Sequence, residues 1–146
     1  MQNSSQKNII DRIAKIREAA DSFIEQELCT RGITGIVPAH GVVFVFLFRQ
    51  TEPVPISSLV KYSGRAKSTI TGIVKTLERH GYLFRQLSAQ DARSSHIGLT
   101  EKGWAIKSDF EEISLLLEQK IYGYMPLVDR ERITKLLVQI EGNIAS

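Results

Sequence analysis

Lys67, Ser68, Thr71, Gly72, Lys75 and Arg79 are spaced so that a helix would gather them on one side, leaving Ala66, Ile70, Ile73, Val74 and Leu77 on the other. The polar arc suits a polyanion. Lysine donates to phosphates or guanine edges, and serine and threonine hydroxyls reach phosphates or base edges. At Gly72 the missing side chain lets a backbone approach closely. The amino end of such a helix adds free amide protons and a favourable dipole for phosphate. Further basic groups follow in a hairpin-like stretch. Tyr82 to Leu87 alternates and carries Arg85, Ser88 to Ser94 is polar enough to turn and carries Asp91 and Arg93, and His96 to Leu99 returns as a second strand. An arginine at such a tip can enter a narrow minor groove. Asp91 is placed to hold the Arg93 guanidinium by a charge-assisted bond.

Charge distribution points the same way. The chain of 146 residues carries a net charge of +3. From Lys61 to Arg93 seven basic residues face two acidic ones, a local +5, while the remaining twelve basic and fourteen acidic residues give −2. A positive field on a nearly neutral scaffold is the footprint of a polyanion binder. Catalytic chemistry finds little support, so no enzyme is expected: there is no glycine-rich phosphate loop and no nucleophile with a placed base. His40, His80 and His96 lack metal-ligand spacing, so neither a metal nor a cofactor is expected. Cys29, the single cysteine, forms no internal disulfide. It reads as an inert thiol; a reactive one would need a neighbouring cation, and Arg31 is the nearby cation in sequence.

The elements that must position these groups are mostly helical. Ile9, Ile13, Ile16, Ala20, Phe23 and Ile24 mark a long amphipathic helix over about 7–30. The run Val42 to Phe48 is strand-like by propensity, although a buried helix has the same signature. Ile56 to Tyr62 predicts a short helix with Ser57 or Ser58 as cap, and Ser63-Gly64 a turn. The basic helix spans about Ala66 to His80, and Gly81 suits the left-handed residue after its end. Thr100 is placed to cap a helix over 101–124, and a last helix covers 129–145. The longest apolar run is too short to span a bilayer and the amino-terminal segment lacks an apolar signal core, so the expected location is cytoplasmic, with no membrane partner. Two helices around a tight turn, followed by a basic hairpin, predict a winged helix-turn-helix.

Ile56-Ser57-Ser58-Leu59-Val60, Ser68-Thr69-Ile70-Thr71, Leu77 to Leu83, and Asp91-Ala92-Arg93 with Leu99-Thr100-Glu101-Lys102-Gly103 resemble the MarR family of bacterial transcription regulators over about residues 37–113. The resemblance implies a mainly α fold with a small β-wing, in which a winged helix-turn-helix joins a helical dimerisation domain. Within a single domain over 1–146, residues 37–100 would form the DNA-binding lobe, and 7–31 with 101–146 the dimerisation region. It implies a homodimer that reads a pseudo-palindromic duplex as a ligand-responsive repressor, and it makes Val37 to Gln50 a helix against propensity. Thr69 and Thr71 would lie in the recognition helix and Arg93 at the wing tip. Lys67, Ser68, Thr69, Thr71, Lys75 and Arg93 would carry contacts, with Arg65, Arg79 and Arg85 on phosphate. Pro55 stands where the family has a short third strand, and proline confines that strand to an edge. Many relatives carry a basic residue where this chain has Ala92. An effector pocket, the other family feature, would be lined by His40, Phe44, Phe48, Arg49 and Trp104 and take a small aromatic or anionic ligand. The alternative is a winged-helix protein-interaction module without sequence-specific DNA binding.

Overall fold

The computed structural model describes residues 2–87 and 95–145, with side chains from Asn8 onward. Seven α-helices and a three-stranded sheet follow one another in this described part: α1 (Gln2–Thr30), a single 3₁₀ turn (Pro38–His40), α2 (Gly41–Phe48), β1 (Val54–Pro55), α3 (Ile56–Ser63), α4 (Lys67–Arg79), β2 (Leu83–Leu87), β3 (Ser95–Leu99), α5 (Glu101–Ala105), α6 (Lys107–Tyr122) and α7 (Leu127–Ala145). The fold is mainly α with a small β-wing. Among the described residues, no helix is long and apolar enough to cross a membrane.

The chain divides into two compact units, Met1–Ile113 and Ser114–Ser146. In the first, the core gathers Leu28 of α1, Val43, Phe44 and Leu47 of α2, Leu59 of α3, and Ile70, Ile73, Val74 and Leu77 of α4. Ile33, Ile36, Tyr82, Leu83, Ile97, Leu99, Ile106 and Ile113 complete it. Val42 to Phe48 forms a helix because an element that is apolar all round can bury most of its circumference, and here Phe44 packs against Phe48, Tyr82 and Phe110. Local propensity for a strand is overridden by that packing.

Three sequence expectations need correction. Neither Ser57 nor Ser58 caps α3; Pro55 occupies the cap position with an extended backbone, so β1 runs directly into the helix. Ala66 is not part of the buried stripe but is the exposed residue preceding α4. The helix expected over 101–124 is two helices, α5 and α6, parted at the buried Ile106. The spacing of Ile106, Phe110 and Ile113 continues across that break, so periodicity does not reveal it. Thr100 does cap α5, its hydroxyl oxygen accepting from the Gly103 amide at 3.2 Å.

The strands are antiparallel in the order β1-β3-β2, with Val54 opposite Ile97, and Leu83, Arg85 and Leu87 opposite Leu99, Ile97 and Ser95. Pro55 therefore lies on an edge strand, where its missing N–H breaks no central ladder. At the end of α1, Arg31 ties that helix to α6. Its Nη1 donates to Asp109 at 2.9 Å and to Glu112 at 2.5 Å, and its Nε donates to Glu27 at 3.4 Å. These carboxylates raise the Arg31 pKa further above its already high range.

The second unit contains the carboxyl end of α6, a turn at Gly123 and α7. Within it the Arg130 Nε donates to the Met125 carbonyl at 2.8 Å, and its guanidinium lies 5.0 Å from the Tyr122 ring centroid. No described residue of α7 is buried.

Candidate nucleic-acid interface

The amphipathic pattern of α4 turns its two faces to different surroundings. Ile70, Ile73, Val74 and Leu77 are buried, whereas Lys67, Ser68, Thr69, Gly72, Lys75 and Arg79 are exposed and Thr71 is half-buried. No described side chain caps the amino end of α4, so the amide protons of its first turn remain available. The turn before it is held by Ser63, whose hydroxyl donates to the Val60 carbonyl at 3.0 Å and accepts from the Arg65 amide at 3.1 Å. Arg65 is exposed beside it.

The carboxyl end is closed by a paired hydrogen-bond motif: the Gly81 amide donates to the Glu78 carbonyl and the Tyr82 amide to the Leu77 carbonyl, both at 3.0 Å. Such a closure requires a left-handed residue at Gly81, whose φ is +82°. Tyr82 and Leu77 then meet in the core, and the next residue starts β2.

Arg85 on β2 leans toward α4. Its Nε lies 3.8 Å from Glu78 Oε1, and Nε and Nη2 are buried with no hydrogen-bond partner among the described residues. Glu78 is an acidic exception at the edge of the basic arc of α4, and its proximity to Arg85 emerges from the fold. Between α3, α4 and the strands lies a groove of about 430 Å³, whose lining includes Ser57, Lys67, Thr71, Arg85 and Ser95. The structure thus brings together two cations and three hydroxyls. Asp91 and Arg93 lie outside the described residues.

Of the residues expected around an effector, Phe44, Phe48 and Trp104 are linked by ring contacts. Phe44 is closed in the core, and Phe48 stacks between Phe44, Phe110 and Trp104, 6.0 Å from the Trp104 ring centroid. Arg49 is exposed at the end of α2. His40 is buried, and its Nδ1 accepts from the Val37 amide at 3.2 Å. Burial and the proximity of His80 lower the His40 pKa below its usual value. Trp104 lines a separate hollow of about 160 Å³ with Leu47, Gln50 and Phe84. Cys29 is exposed near the end of α1.

A family model described as the MarR family matches residues 42–95, from α2 to the start of β3. Over this stretch the chain is similar to the MarR family. The HTH-type transcriptional regulator SarZ of Staphylococcus aureus is 31% identical over 91 residues, covering 62% of this chain and 59% of SarZ. The chain thus spans about three fifths of the length of the curated relatives it matches. Among solved structures, the S. aureus MepR–DNA complex is 22% identical, with a TM-score of 0.79 and coverage of 90% of this chain and 94% of MepR. Bordetella bronchiseptica BpsR, whose structure concerns regulation of DNA binding by 6-hydroxynicotinic acid, is 17% identical, with a TM-score of 0.72 and coverage of 92% and 98%. At these identities the likeness of the two structures to this chain is one of fold.

Proposed function

We propose that this chain is a sequence-specific, double-stranded DNA-binding transcription regulator that acts as a homodimeric, ligand-responsive repressor on a pseudo-palindromic operator. The observation that carries the reading is the division of α4 into a core-facing aliphatic stripe and an exposed face bearing Lys67, Ser68, Thr69, Lys75 and Arg79. Residues 37–100 are the DNA-binding lobe. The helix enters a major groove with Lys67, Ser68, Thr69, Thr71 and Lys75 toward bases and phosphates, and Arg65, Arg79 and Arg85 lie along the backbone. Arg93 and Asp91, which lie outside the described residues, are assigned to a minor-groove contact. MepR, crystallised with DNA, and SarZ, named as a regulator, support this reading by fold and by family respectively.

Residues 7–31 and 101–146 form the dimerisation region. Support comes from the aliphatic side chains exposed in one chain: Ile9, Ile10, Ile13 and Ile16 on α1, and Leu136, Leu137, Val138 and Ile144 on α7. A small aromatic or anionic effector binds near His40, Phe48, Arg49 and Trp104, with Phe44 as the closed floor and Arg49 as counter-charge. The likeness to BpsR supports an effector of that class.

Selection of duplexes from a randomised pool at moderate salt tests the proposal. Enrichment of a pseudo-palindrome with half-sites about 10–10.5 base pairs apart is the expected result. A bound pool that stays random overturns it and leaves the basic face as a non-specific polyanion surface.

A further inference from the structure

The carboxyl end of α4 is held by the first turn of α5, through three successive carbonyls. The His80 carbonyl accepts from Lys102 Nζ at 2.7 Å, the Gly81 carbonyl from the Thr100 hydroxyl at 2.6 Å, and the Tyr82 carbonyl from the Thr100 amide at 3.0 Å. The Lys102 ammonium also stands 4.4 Å from the centroid of the Tyr82 ring. A cation at this end of a helix opposes the negative pole of its dipole. Beyond the clasp, Tyr82 Oη donates to the Thr34 carbonyl at 2.5 Å, in the connection between α1 and α2. The His80 ring occupies the space beside Gly35: a Cβ there would lie 2.7 Å from its Cγ.

We propose that Lys102 is a positioning residue for DNA recognition, fixing the angle at which α4 presents its exposed face without itself touching DNA. The inference rests on the DNA-binding reading above. Lys102 is the side chain of this clasp whose ammonium group joins two parts of the α4 terminus, the His80 carbonyl and the Tyr82 ring, from a separate element. Removing the ammonium frees one carbonyl and releases the ring, while the closure between Leu77 and Tyr82 and the buried stripe of α4 remain. The helix is then formed but less firmly aimed. Because Nζ is turned to the protein, its loss should not change how many counter-ions leave the duplex on binding.

The test uses the full chain as wild type, Lys102→Met, which keeps an apolar stem, and Lys102→Arg, which keeps a cationic donor. Each is titrated by fluorescence anisotropy at several salt concentrations, against the duplex that the wild type selects and against a scrambled duplex, with thermal unfolding measured alongside. Lys102→Met is expected to bind the selected duplex about tenfold more weakly, with an unchanged salt slope, unchanged affinity for scrambled DNA and a folded lobe, and Lys102→Arg to recover most of the loss. A match between Lys102→Met and wild type overturns the proposal. So does a salt slope reduced by about one phosphate contact, which would make Lys102 a direct contact, or equal weakening on both duplexes. Unfolding of Lys102→Met at the assay temperature overturns it as well, assigning the residue a purely structural part. If the wild type itself selects no duplex, the parent reading fails and this one falls with it.

Discussion

Helices α4 and α7 both carry branched aliphatic residues at helical spacing, yet their surroundings differ. In α4, Ile70, Ile73, Val74 and Leu77 are at most 9% exposed, packed within a core that includes α2, α3 and the sheet. In α7, Ile133, Leu136, Leu137 and Ile144 are 39–74% exposed. One stripe is complete within a single chain, whereas the other leaves apolar surface in water, at a cost of roughly 25 cal/mol per Å². The same pattern in sequence thus meets two different surroundings, and burial rather than periodicity separates them. If α4 is a reading head built on a finished core, substitutions beneath it should act on folding. If α7 is half of an interface, substitutions on it should act on assembly.

The largest expected effect tests the first half of that contrast. Leu77→Ala, at a fully buried position, should destabilise the lobe by about 2–5 kcal/mol, measured by urea unfolding. An unchanged midpoint would mean that the core closes without α4. Next comes the double substitution Leu136→Asp with Leu137→Asp. It should convert a dimer to a monomer by sedimentation and lower affinity for a two-half-site duplex by more than about 100-fold while leaving the lobe folded. Retention of the dimer would move the interface elsewhere. Lys75→Ala, on the exposed face of α4, should weaken binding and reduce the salt slope by about 1 without shifting the unfolding midpoint. An unaltered slope would remove Lys75 from the phosphate contacts.

The smallest effect concerns pH. Since the folded His40 pKa lies below the ordinary 6.5, the unfolded chain takes up the proton first as pH falls. Stability therefore declines from about pH 6.5 downward and levels off once the folded form also protonates. His40→Gln should flatten that decline in unfolding curves recorded from pH 7.5 to 5, and a persistent slope would place the titration on another group.

Much of the lobe was legible in the sequence because local signals agree there. The stripe Ile70, Ile73, Val74 and Leu77, the glycine after the helix and the alternation around Arg85 all describe one helix and one strand. The nature of Val42 to Phe48 was hidden because a continuous apolar run carries no period, and only resemblance selected a helix. The parting of α5 from α6 was hidden because Ile106, Phe110 and Ile113 keep helical spacing through it. At the candidate site, the exposed face of α4 follows from its helical phase, whereas the approach of Arg85 to Glu78 depends on how β2 leaves the helix. The clasp by Lys102 was invisible for a related reason: its partners are backbone carbonyls some twenty residues away, and a carbonyl has no letter in the sequence.

On the outer face of α4, Lys67, Ser68, Thr69, Lys75 and Arg79 hold no side-chain hydrogen bond or ion pair among the described residues. Replacing them therefore costs the scaffold little, since surface substitutions away from caps and networks typically change stability by less than about 0.5 kcal/mol. Descendants of this chain are free to exchange these five residues while inheriting the same folded body.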